Sequence, residues 1–208
     1  MPVTPMMQQY LDTKEKYPDT ILFFRLGDFY EMFFEDAKLV SRELELTLTG
    51  KDCGLSERAP MCGVPYHAVD VYVQKLIEKG YKVAICEQLT DPALSKGLVE
   101  RDVVRIITPG TVIESSMLED KKSNYIASVC LRKNSAGCAF CDVSTGEFKL
   151  YQIPDAKNAL SDELARIAPS ELIVSDAQEF ALIDPDHAKI ASTPCADDFS
   201  YSQASKAM

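Results

Sequence analysis

The twelve residues Phe23-Phe24-Arg25-Leu26-Gly27-Asp28-Phe29-Tyr30-Glu31-Met32-Phe33-Phe34 hold the most chemically suggestive side chains of the sequence. Six are aromatic, and they crowd a Gly-Asp turn that reads as the junction of a strand with a helix. Phe33 and Phe34 are assigned to the core. Phe29 sits at the turn, before the helix face is established, where a phenyl ring can project from the domain as an apolar wedge. Glu31 follows two residues on. In extended or turn geometry positions i and i+2 share a face, whereas in a regular helix they do not.

Other constellations offer less. The seven cysteines are odd in number, in a chain whose start (Met1-Pro2-Val3-Thr4-Pro5) lacks a secretory pattern, so they read as reduced thiols. Cys138-Ala139-Phe140-Cys141 has C-x-x-C spacing, but it lies in a strand-like run where residues three apart point to opposite faces. His67 and His187 supply no second ligand pair at a usual spacing, so no metal is expected. No G-x-x-x-x-G-K-[ST] occurs, so this chain has no phosphate-binding loop for ATP hydrolysis and is read as non-enzymatic.

The elements that must position these residues follow from the patterning. The 208 residues, 46% hydrophobic and 26% charged, suit a globular protein with a real core. No apolar run approaches ~18 residues, so no membrane span is expected. The expected organisation is a domain over 1–108, a linker over 109–122 and a second domain over 123–208 whose end looks cut short. Thr4 and Pro5 start a helix carrying Met6, Met7 and Tyr10, and Ile21 to Phe24 is a buried strand. Phe33, Ala37, Val40 and Leu44 line a helix. Leu46 to Thr49 is a short strand, and Gly50 to Pro60 a loop. Val69 to Ile77 is a helix ended by Gly80, and strands cover Lys82–Glu87 and Val103–Thr108. Beyond the linker come strands at Tyr125–Leu131, Cys138–Ser144 and Glu147–Gln152, a helix through Leu160, Leu164 and Ile167, and a strand at Leu172–Val174. The fold class is α/β: a mixed sheet packed with helices, followed by a second α/β domain.

The net charge of −10 divides as −4 over residues 1–108 and −6 over 109–208, so neither half is basic. That balance argues against a general phosphate grip, which needs a cationic surface. The cations nearest the aromatic segment's surroundings are Lys51 and Arg58 in the Gly50–Pro60 loop. Lys96, Arg101 and Arg105 form a weak cluster diluted by Glu100 and Asp102.

Several blocks resemble, in order, the N-terminal part of the bacterial MutS family of DNA mismatch-recognition proteins. They are Thr4-Pro5-Met6-Met7-Gln8-Gln9-Tyr10, Gly27-Asp28-Phe29-Tyr30-Glu31, Gly63-Val64-Pro65-Tyr66-His67-Ala68, Ala84-Ile85-Cys86-Glu87-Gln88, Val99-Glu100-Arg101 and Arg105 to Thr111. Asp142-Val143-Ser144-Thr145-Gly146 is similar to part of the family's connector domain. The resemblance implies that Phe29 and Glu31 are the mismatch-reading Phe-x-Glu pair, and it favours Lys51 and Arg101 among the backbone contacts. It also implies a ribonuclease-H-like connector, mismatched double-stranded DNA as ligand, MutL as a partner of the connector, and a cytoplasmic, nucleoid-associated bacterial protein. ATP, Mg²⁺ and homodimerisation belong by the same resemblance to the full-length protein, with this stretch alone expected to be monomeric. A wedge that unstacks a base step reads deformability, because a mispaired step opens at lower cost. Glu31 beside a polyanion repels paired DNA unless a base edge satisfies it, and if protonated it donates to a base nitrogen. A nuclease is the alternative, since Asp142 with Ser144 is similar to the metal-binding start of the ribonuclease-H fold. Two-metal chemistry needs further carboxylates to converge, with Glu147, Asp155 and Glu163 the candidates.

Overall fold

The computed structural model describes residues 3–90, 97–113 and 123–190. Two compact units divide the chain, Met1–Thr108 and Pro109–Met208. In the first, β1 (Ile21–Leu26) turns at Gly27, whose φ of +60° suits a glycine, and returns antiparallel as β2 (Phe29–Phe33). The expected strand-to-helix junction is therefore a hairpin, and Phe29 opens a strand. Helix α2 (Phe34–Leu44) begins only after Phe33. Its apolar periodicity, which includes Phe33, concealed the five-residue strand in front of it. Strand passes to helix at Phe34, in the left-handed region at φ 52°, which costs a bulky residue roughly 1–2 kcal/mol.

The remaining elements are α1 (Pro5–Lys16), β3 (Thr49–Lys51), β4 (Ala59–Pro65), α3 (Val69–Glu78), β5 (Val83–Gln88) and β6 (Arg101–Ile107). The sheet runs β3-β4-β2-β1-β5-β6, with β1 and β5 parallel and the other pairs antiparallel. The strand expected at Leu46–Thr49 starts instead at Thr49, and Gly50 and Pro60, expected in a loop, pair with each other across β3 and β4. Strand β4 escaped notice because its Pro60, Gly63 and Pro65 are poor strand formers.

Helix α1 covers one face of this sheet. Met7 and Tyr10 are buried with Leu22, Phe24, Phe33, Ala84 and Cys86, and the Tyr10 ring meets Phe33 edge-on at 4.9 Å. Helix α2 covers the other, where Cys62 Sγ donates to the Ala37 carbonyl at 3.5 Å. Buried Asp36 ties three elements together. It accepts from Leu22 N at 2.9 Å, from Lys14 Nζ at 2.9 Å and from the Tyr10 hydroxyl at 3.4 Å.

The second unit is a sheet of order β10-β7-β8-β9, built from β7 (Tyr125–Arg132), β8 (Ser135–Asp142), β9 (Glu147–Ile153) and β10 (Glu171–Val174). Helices α4 (Ala156–Ile167) and α5 (Ala177–Ile183) bury Leu160, Leu164 and Phe180 against Val129, Cys138, Phe140 and Leu172. The hairpin between β8 and β9 turns through Thr145-Gly146, and α5 is a short helix the patterning did not signal. Cys138 is buried while Cys141 is half-buried, on alternate faces of β8. Both units are mixed α/β. The charged stretch 114–122, Cys195 and the end expected to be incomplete lie outside the described residues. Among the described residues no helix is long and apolar enough to cross a membrane.

Candidate nucleic-acid interface

Strand β2 carries the site. Phe29, Glu31 and Phe33 alternate onto the face that α1 packs against. Tyr10 seals Phe33, but at ~3.3 Å per residue Phe29 lies roughly 13 Å further along the strand. Phe29 is 47% exposed, whereas Tyr30, Met32 and Phe33 are buried. The hairpin end that presents it is braced. Asp28 O accepts from Tyr66 N at 2.9 Å, and Arg25 Nε donates to Gly27 O. The Arg25 guanidinium lies 4.0 Å over the Tyr66 ring and 5.4 Å over Tyr30, and 3.6 Å from Glu87. The Tyr30 hydroxyl donates to Glu87. Burial, reinforced by that carboxylate, pushes the phenol up to about 12, so it stays a donor at neutral pH. Arg25, Tyr66 and Glu87 were not among the expected site residues. The available signal was a lone cation inside the apolar run of β1, which had to find partners nearby.

Glu31 has a charged partner that the sequence does not signal. Lys51 Nζ donates to it at 2.5 Å, from a strand two places away in the sheet. The intervening residue of β4 opposite Glu31 is Gly63. A Cβ there would stand 3.5 Å from Glu31 Cγ and 3.3 Å from the Tyr30 carbonyl, so the glycine keeps the floor beneath the carboxylate open. The Lys51 ammonium also lies 5.7 Å from the centre of the Phe33 ring.

The other expected cations fare differently. Arg58 donates to Gly50 O, with Asp52 at 3.7 Å from its Nε, and remains largely exposed. Arg101 is turned inward. Its Nε donates to Arg25 O at 2.8 Å, and its Nη1 to Gln9 Oε1 at 2.9 Å and Val99 O at 3.0 Å, with the guanidinium 5.2 Å from the centre of the Phe24 ring. Burial lowers its pKa. These contacts make Arg101 a brace between β6, β1 and α1. Arg105 is half-buried opposite Ile85 on β6, and Lys96 lies outside the described residues. His67 stands in a short 3₁₀ turn, its ring edge-on to Tyr66 at 5.7 Å. The structure thus brings Phe29, Glu31 and Lys51 together and leaves Arg101 across β1 from them.

The nuclease alternative meets a geometric obstacle at Asp142. One carboxylate oxygen accepts from Ser144 N, Ser144 Oγ and Thr145 N, and the other from Asn124 N. Those bonds hold the β8–β9 turn and the start of β7, taking up one oxygen fully and the other in part. Among the described residues, no three His, Cys, Asp or Glu side chains are grouped to hold a metal.

Comparison with known proteins agrees with the order of the sequence blocks. The family model described as MutS domain I matches residues 4–116, and that of MutS domain II matches residues 124–192. The DNA mismatch repair protein MutS of Acetivibrio thermocellus is 64% identical over 175 residues, covering 83% of this chain and 20% of its own length. Those of Clostridium tetani and Clostridium novyi are 57% and 51% identical, over 84% and 99% of this chain, and the match covers 20% and 23% of their own lengths. The chain therefore spans about a fifth of the length of the curated relatives it matches. With both family models matched in sequence order across most of its length, the chain belongs to the MutS family.

Proposed function

We propose that this chain reads mispaired or unpaired bases in duplex DNA, with Phe29 as the intercalating wedge and Glu31 as the group that hydrogen-bonds the displaced base edge. The observation that carries this is the isolation of the Phe29 ring, half-exposed at the braced end of a strand whose neighbouring residues are buried. A ring held there enters the minor groove without ordering a loop first. Opening a stacked step costs roughly a few kcal/mol, and a mispaired step less, so a fixed wedge converts the difference in deformability into a difference in affinity. Stacking of the displaced base on the phenyl face returns on the order of 1–3 kcal/mol. Lys51 and Arg58 are the backbone contacts that the geometry favours, while Arg101 serves the domain's own integrity.

The family resemblance implies ATP and Mg²⁺ chemistry, dimerisation and MutL docking for the full-length protein, with MutL meeting the second unit. No step here depends on them. The test compares matched and mismatched duplexes of otherwise identical sequence at low salt, using the 208-residue chain. Tighter binding of the mismatched duplex, lost in Phe29→Ala, is expected. Equal affinity for the two duplexes overturns the assignment.

A further inference from the structure

We propose that Lys51 is an exchangeable counter-ion for Glu31: its ammonium neutralises the carboxylate in the DNA-free protein and passes to a backbone phosphate when a base edge takes the carboxylate over. This rests on Phe29 and Glu31 reading mismatched DNA as above.

Three features of the structure support the exchange. The pair is close, at 2.5 Å, yet its members lie twenty residues apart in the sequence and two strands apart in the sheet. The Lys51 side chain therefore reaches over β4 to meet Glu31. The pair is only partly buried, with side-chain exposures of 32% for Lys51 and 16% for Glu31. A partly solvated ion pair contributes less than its contact distance suggests, so another group of equal charge can replace the partner. A lysine ammonium on a flexible stem suits such a change of partner, because it has no fixed fork to reorient. Finally, the pair shares its strand face with Phe29, two residues from the wedge, so DNA that meets the ring also meets the pair.

The two kinds of duplex then differ in what they offer Glu31. A matched duplex keeps its base edges engaged and supplies the carboxylate with no donor. If Lys51 left for a phosphate, an uncompensated carboxylate would face a polyanion, so the pair stays closed. A mismatched step, opened by the wedge, supplies a base edge. The carboxylate accepts that partner and Lys51 is released to a phosphate. One additional phosphate is thus neutralised on mismatched DNA alone.

Counterion release makes this measurable. Each phosphate neutralised by a cation steepens the plot of log affinity against log salt concentration by about 0.9 on duplex DNA. For the 208-residue chain, the slope for a mismatched duplex is expected to exceed that for its matched partner by about 0.9. In Lys51→Met the two slopes become equal at the shallower value. In Glu31→Gln they become equal at the steeper value, because Lys51 has no carboxylate to hold it and reaches a phosphate on both duplexes. Lys51→Arg retains the difference. Thermal melts of all three variants accompany the titrations, so that loss of fold is not scored as loss of exchange. A chain that prefers mismatched DNA with equal slopes for both duplexes overturns the exchange and leaves the role of Phe29 standing. A chain with no preference overturns both.

Discussion

Phe29 and Phe33 occupy the same face of one strand, four residues apart, and the structure exposes the first and buries the second. Replacing each by alanine separates the two quantitatively. Phe33 is fully buried against Tyr10, so Phe33→Ala removes a core ring and leaves a cavity, at a cost of ~3–5 kcal/mol. Phe29 is 47% exposed, so about half of the ~1.5–3 kcal/mol of a fully buried side chain is at stake, or about 1 kcal/mol. For a domain of this size each kcal/mol moves the melting temperature by roughly 4–8 °C, so Phe29→Ala should melt less than ~10 °C below the parent and Phe33→Ala more than ~12 °C below. The order reverses in DNA binding. Losing the stacking surface removes on the order of 1–3 kcal/mol from the mismatched complex only, which lowers the ratio of mismatched to matched affinity by about 5- to 150-fold. Differential scanning calorimetry gives the first quantity. Competition fluorescence anisotropy on two duplexes differing at one base pair gives the second. If Phe29→Ala melts as low as Phe33→Ala, the ring is structural and no free wedge exists. If Phe29→Ala keeps both its melting temperature and its discrimination, the wedge has no part in recognition.

Three further variants test the surrounding framework. Arg101→Met strips hydrogen bonds from Arg25 O, Gln9 and Val99 O, so it should cost ~1–3 kcal/mol of stability in urea titrations while leaving the salt dependence of DNA binding unchanged. A phosphate contact would instead reduce the salt slope by about 1. Asp36→Ala leaves Leu22 N without its acceptor and the Lys14 ammonium without its counter-ion, and should cost ~3–5 kcal/mol, read as a fall in the urea midpoint. In the second unit, Arg166 and Tyr151 bond Glu163 and hold its carboxyl at about 2 rather than the ordinary 4.5. Its contribution to stability is therefore complete above about 4.5 and is lost as pH falls toward about 2; a Glu163→Gln variant should lack that portion of the acid sensitivity, seen as a flatter plot of urea midpoint against pH.

The aromatic segment marked the site in the sequence, but its local geometry was hidden for physical reasons. Phe29 to Phe33 is too short a run to show a period of two, and the strong helical repeat that follows includes Phe33. The expected shared face of Phe29 and Glu31 holds, because a strand, like a turn, puts i and i+2 on one face. The partner of Glu31 was not legible. Lys51 meets it only through a strand built around Gly63 and flanked by prolines, a composition that reads as a loop until a sheet pairs it. The internal partners of Arg101 are not legible either. A cation in a charged stretch reads as surface, and only the path of α1 past β6 brings Gln9 within reach of the guanidinium.

The acidic balance of −10 fits a device that discriminates more than it grips. A strongly cationic face would bind matched and mismatched duplexes alike through their phosphates, and that shared term cancels from the ratio of affinities. Specificity is a difference, and it is improved by anything that makes the wrong complex worse. A carboxylate beside the wedge does this only if it is harmless in the free protein and satisfied in the correct complex. Lys51 supplies the first condition at 2.5 Å, and an opened base step supplies the second. On a matched duplex the carboxylate holds Lys51 back from the phosphates, so the wrong complex loses a cation that the right one keeps. On the proposed reading, one lysine, one glutamate and one ring discriminate without a strongly cationic face, and the rest of the domain has only to keep the strand under them rigid.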